Sequence, residues 1–228
     1  ACGLVLQLLR GHWQLLLLTA LVFVFWQTPA VTPLKILVVF FHEAAHAIAT
    51  FVTGGEVVSL SISPNQGGTV ISRGGNRFII LTAGYLGSLL IGVGLLAAAT
   101  RTRADRMIMA GCGIVMLVIA GLYVREFFAL SFAIGTGVLM LLVARFLGHT
   151  ANDLFLRVIG LTSMVYVPFD IFSDTIARAN LRSDAWMLAD EFGGSTQMWG
   201  ALWLLISVAV IVCCLRFGLG RSSNLTLR

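Results

Sequence analysis

The sequence predicts an all-α polytopic membrane protein of about seven transmembrane helices, with a small β-hairpin after the second of them. Three observations carry this. Of 228 residues, 58% are hydrophobic and only 11% charged, with a mean hydropathy of +0.96; a soluble domain of this size could not hide so much apolar surface. Apolar runs of membrane-spanning length recur along the whole chain. One segment, 54–77, departs from them and alternates with a period of two.

Taken in order, the predicted spans are about 12–29, 34–53, 78–100, 107–123, 127–147, 156–177 and 198–217. The first exceeds a signal-peptide core and lacks a cleavage site, so a retained helix is expected, bracketed by Trp13 and Trp26 as interface anchors. The second, 34–53, carries "FHEAAH" (Phe41–His46) inside an otherwise apolar run. After it, Val58, Leu60 and Ile62 alternate with Ser59, Ser61 and Ser63. A Pro64-Asn65-Gln66-Gly67-Gly68 turn and a β-prone Thr69-Val70-Ile71 complete a predicted hairpin over 56–72. The polar connection 178–197 reads as a solvated loop or short interfacial helix, with gating of a site as its functional alternative. The chain is expected to be one integral-membrane domain, 1–228, without repeats.

Composition also excludes. Net charge is +5 and the basic residues gather at helix ends, so nucleic-acid binding has no footprint. Cys2, Cys112, Cys213 and Cys214 form neither a disulfide framework nor a CxxC pair.

His42 and His46 are four residues apart and share one helix face, which lets both imidazoles reach one metal ion. Glu43 sits beside that face, placed to take a proton from water that the ion acidifies. A carboxylate near mid-bilayer costs about 2.5 kcal/mol or more and usually marks a functional pathway, which disfavours a merely solvated reading. Catalytic zinc wants a third protein ligand. Asp170 and Asp174 lie on one face of the span 156–177, and Pro168 is expected to kink that helix just ahead of Asp170. Asp170 is the expected third ligand and Asp174 the fallback. A cap, or a partner for Arg178, is the bland alternative for the pair. Gly84, Ser88 and Gly92 form a small-xxx-small ridge, with the alanine-rich helix of His42 as the expected partner.

These elements together resemble the site-2 protease family of intramembrane zinc metalloproteases, in its compact branch without a PDZ domain. The resemblance spans roughly residues 34–190. It implies His42 and His46 as zinc ligands and Glu43 as the base. Ala83-Gly84-Tyr85-Leu86-Gly87-Ser88 resembles the family's Ala-Gly-Pro-x-x-Asn element, with Tyr85 for the proline and Ser88 for the asparagine. Pro168-Phe169-Asp170 resembles the end of its aspartate element, with Thr162 for an asparagine and Ile171 for a glycine.

The function so implied is hydrolysis of peptide bonds in transmembrane or membrane-proximal segments, single-pass helices being the expected substrates and the hairpin edge a place to hold them. A bacterial cell membrane is the expected location. The resemblance also sets the N-terminus and the zinc on the cytosolic side, against a charge tally that places nine Lys/Arg inside if the N-terminus is outside. Three alternatives stay open: an inactive relative acting as a membrane chaperone or regulator, a metal transporter, and a purely structural membrane protein. The departures at Thr162 and Ile171 favour the first.

Overall fold

The computed structural model describes residues 2–219 and 222–225, with side chains from Arg10 onward. Its elements run α1 (Cys2–Val24), α2 (Thr32–Val52), β1 (Glu56–Ile62), β2 (Gly68–Arg73), α3 (Arg77–Arg101), α4 (Asp105–Tyr123), α5 (Phe127–Phe146), α6 (His149–Phe172), α7 (Asp184–Phe192) and α8 (Thr196–Cys213). Among the described residues, six helices are long and apolar enough to cross a membrane: α2 to α6 and α8. The predicted first span is helical too, but it stops at Val24 rather than at 29, where Gln27, Thr28 and Pro29 end the apolar run. Trp26, read as an interface anchor, is half-buried and packs against α6. Its ring lies 6.1 Å from Tyr166 and 5.8 Å from Phe169 of α6, and Lys35 Nζ sits 4.4 Å over it.

α2 is the buried axis of the bundle. Pro33 stands in its first turn, where a missing N–H costs nothing. Gly54, at φ 81°, reverses the chain after its last turn. Ala44, Ala45, Ala47 and Ala49 keep it slim, so neighbours approach closely.

α3 is the principal neighbour. Asn76 caps it by accepting from Ile79 N at 3.1 Å. Its small-residue ridge serves two partners rather than one. Gly84 and Gly87 admit His42, His46 and Ala45 of α2, whereas Gly92 admits Ser163 of α6. Ser163 Oγ donates to Ser88 O at 2.8 Å, and Gly160 of α6 meets the backbone of α3 at Gly92. α3 thereby fixes α2 and α6 relative to each other, with α4 and α5 packed further out through Gly113 and Gly137.

The hairpin is a two-stranded antiparallel sheet, with Leu60 opposite Val70 and Ile62 opposite Gly68. A bulge between Val57 and Ser59 changes the expected alternation: Val57, Leu60 and Ile62 are buried, and Val58 turns outward. The hairpin folds back along α2, so that Gly68 at the start of β2 lies against the Glu43 side chain.

α6 runs unbroken through Pro168, and the departure from α geometry comes one turn later, as a π-helical turn over Ser173–Ala177. The connection 178–197 contains the short helix α7, capped by Ser183 and anchored by the fully buried Ala185 and Leu188.

The α3–α6 contact predicts a contrast between two glycines. A Cβ on Gly160 would lie 2.7 Å from Gly92 O, against rigid backbone, whereas one on Gly94 meets nothing within 4 Å. Gly160→Val is expected to cost at least about 1–3 kcal/mol and to lower the midpoint of thermal unfolding in detergent, with Gly94→Ala leaving it unchanged.

Candidate metal centre

His42 and His46 project from the middle of α2 into the interface with α3, where the chain supplies Gly84. Any side chain at that position would collide with Nε2 of both imidazoles. The glycine is thus required by approach, not by backbone conformation.

Each histidine is held differently. His46 Nδ1 lies 2.6 Å from the backbone carbonyl of Ile80. A carbonyl only accepts, so Nδ1 carries the proton, and the neutral ring presents a bare lone pair at Nε2. His42 is braced by Tyr85, whose ring stands at 87° to the imidazole with centroids 4.6 Å apart.

The third group comes from α7. Asp184 Oδ2 lies 3.0 Å from His42 Nε2 and 3.1 Å from His46 Nε2. With the neutral ring this sets a lone pair against a carboxylate oxygen, a contact made favourable by a second proton on the ring or by a metal ion between the two. One oxygen facing two imidazole Nε2 atoms is also an arrangement that a metal ion can occupy. A tetrahedral ion about 2.0–2.1 Å from each ligand holds its ligands about 3.3–3.4 Å apart, close to the observed spacings. Two imidazoles and a carboxylate are also a donor set that zinc accepts. Among the described residues, His42, His46 and Asp184 are the group that could hold a metal ion.

The structure therefore brings Asp184, and not Asp170, to the two histidines. Asp170 of α6 and Asp174 of the π-helical turn that follows it line the same cavity, but neither belongs to the converging group. Asp174 instead accepts from Tyr85 Oη at 2.9 Å and pairs with Arg178, so Tyr85 stands between it and His42. The sequence signal for Asp184 was slight: an acidic residue directly after a Ser cap, heading a helix with apolar Ala185, Trp186 and Leu188.

Glu43 is 4% exposed, lies between the Gly68 backbone and the histidine face, and lines the same cavity. That cavity encloses about 620 Å³ among α2, α3, α6, α7 and the hairpin, and Gly68, Thr69, Val70 and Ser72 of β2 form one wall. The other two positions that resemble family asparagines do not reach it. Ser88 Oγ donates to Tyr85 O and Thr162 Oγ to Val158 O, each within its own helix.

A protein-family model described as Peptidase M50B-like matches residues 15–214. Neither curated proteins nor solved structures returned a match to the chain.

The close approach at Gly84 carries its own prediction. Gly84→Ala is expected to weaken divalent-metal binding in equilibrium dialysis at least tenfold, in the range of changes that misorient ligands, with the helical circular-dichroism signal retained.

Proposed function

The chain belongs to the Peptidase M50B-like family of membrane metallopeptidases, and from that premise we propose that it is a zinc-dependent intramembrane protease that hydrolyses peptide bonds in transmembrane or membrane-proximal segments. The observation that carries the reading is the convergence of Asp184 Oδ2 on Nε2 of both His42 and His46, with Glu43 beside them.

In this reading His42, His46 and Asp184 would hold the ion. Bound zinc supplies Lewis acidity, polarising a carbonyl and lowering the pKa of water. Glu43 takes a proton from the attacking water and delivers it to the departing amine nitrogen. The Ile80 carbonyl keeps His46 in the tautomer that offers Nε2. The cavity admits the water that hydrolysis consumes, through a bilayer region that otherwise excludes it.

Substrate presentation follows from the hairpin. A helix conceals its peptide bonds in its own hydrogen bonds, so a transmembrane substrate must be extended locally before it is cut. β1 pairs with one edge of β2, and β2 lines the cavity beside Glu43. An extended substrate segment added to the other edge of β2 would run past the site, main chain to main chain.

The non-proteolytic reading draws on Ser88 and Thr162, whose hydroxyls are spent inside their own helices rather than on substrate. One substitution separates the two. Glu43→Gln is expected to retain zinc and to lose about 10²–10⁴-fold in cleavage rate; a wild type without cleavage activity, whose cellular function survives in Glu43→Gln, would leave a metal-stabilised chaperone or regulator. Zinc per chain, measured on detergent-purified protein, is expected to be near one in the wild type. Asp184→Ala is expected to abolish it and Asp170→Asn to preserve it. The reverse pattern would return Asp170 to the ligand set. A wild type that stays empty after zinc addition would overturn the protease reading.

A further inference from the structure

We propose that Tyr85, with Asp174 as its anchor, is a positioning residue for the metal centre, holding the His42 ring in the orientation that ligation needs; this rests on the reading of His42 as a ligand. The two histidines of α2 differ in how they are oriented. His46 is tied by Nδ1 to the Ile80 carbonyl, a bond that sets both ring angle and tautomer. For His42, the polar contact among the described residues is the one from Nε2 to Asp184, which is the ligating side itself. Its rotation is opposed instead by packing.

Tyr85 does this packing. It follows Gly84 directly on α3, so it is delivered to His42 by the same close approach that admits the two Nε2 atoms. It is 2% exposed, and its ring is wedged between His42, at 4.6 Å and 87°, and Trp203 of α8, at 5.3 Å. The edge-to-face contact with His42 and the tilted packing on Trp203, whose planes meet at 46°, together oppose ring rotation. A wedge works only if it cannot slide, and its far end is fastened: Tyr85 Oη donates to Asp174 Oδ2 at 2.9 Å, while the other oxygen of Asp174 takes Arg178. Asp174 sits in the π-helical turn Ser173–Ala177, whose extra residue per turn changes the face its carboxylate presents. The order of action is therefore Arg178, Asp174, Tyr85, His42, with Tyr85 touching no reacting atom.

The consequence is a metal affinity that depends on a phenol hydroxyl remote from the ligand atoms. In the detergent-purified full chain, cobalt(II) serves as the probe, since its visible absorption reports ligand geometry as well as occupancy. Tyr85→Phe keeps the ring and removes the bond to Asp174. It is expected to weaken cobalt binding about tenfold, as loss of outer-shell partners does, and to alter the visible spectrum, with the thermal midpoint of the metal-free protein held. Asp174→Ala is expected to act alike, and the double variant to be no weaker than Asp174→Ala alone, because both remove the same bond. Wild-type affinity and spectrum in Tyr85→Phe, or independent effects that multiply in the double variant, would overturn the inference while leaving the metal centre intact. A wild type that binds no cobalt would overturn the metal reading as well.

Discussion

One carboxylate oxygen lies about 3 Å from two imidazole nitrogens in the low-dielectric interior of a membrane helix bundle, an arrangement that needs positive charge among the three groups, carried by protons or by a metal ion. Most features of the molecule near its centre can be traced to this constraint. The groups come from α2 and α7, 142 residues apart, and helices bring them to fractions of an ångström only if the helices themselves are close and rigid. Hence the alanines of α2, the glycines of α3, and the reciprocal contact of Gly92 and Gly160 that locks α6 behind them.

The surrounding polar groups sort by what each must keep dry or wet. Ile80 O, Tyr85 and the Asp174–Arg178 pair restrain the site from the protein side. The hairpin closes it from another: folded back along α2, it sets the Gly68 backbone against Glu43. The bulge at Val58 makes that possible, since it turns Val57 inward onto the bundle while Leu60 and Ile62 remain there. β2 stays at the cavity wall with mostly exposed side chains, as a strand meant to meet another chain would.

α7 is the least expected part. It is too short to span a membrane, yet it carries the carboxylate that faces both histidines. Its position is secured by the buried Ala185 and Leu188, by the Arg77–Glu191 pair at 3.0 Å and by Phe192 against Phe78. Gly193 and Gly194, both at positive φ, turn the chain from it into α8. A carboxylate on such an element joins a polar connection to the membrane-embedded histidine pair.

Much of this was legible in the sequence because local physics imposes it. Apolar length marks the spans, a four-residue spacing puts His42 and His46 on one face, and period-two alternation marks the hairpin. These depend on a residue and its near neighbours. Whether the third carboxylate comes from α6 or α7 depends on which of several acidic residues the packing brings around, and spacing along the chain carries no such information. Asp170 had the stronger local signals, a membrane-embedded position beside a proline, but it lines the cavity without joining the converging group and Asp174 is taken by Tyr85, while the Ser183 cap and the buried face of α7 aim Asp184 at the histidines. The sequence alone determined a bilayer solvent, a histidine pair with its glutamate, and the helices that bear them. The tertiary structure alone decided which carboxylate faces the pair, because the meeting of distant segments is set by close packing of whole helix faces, a property no short stretch of chain possesses.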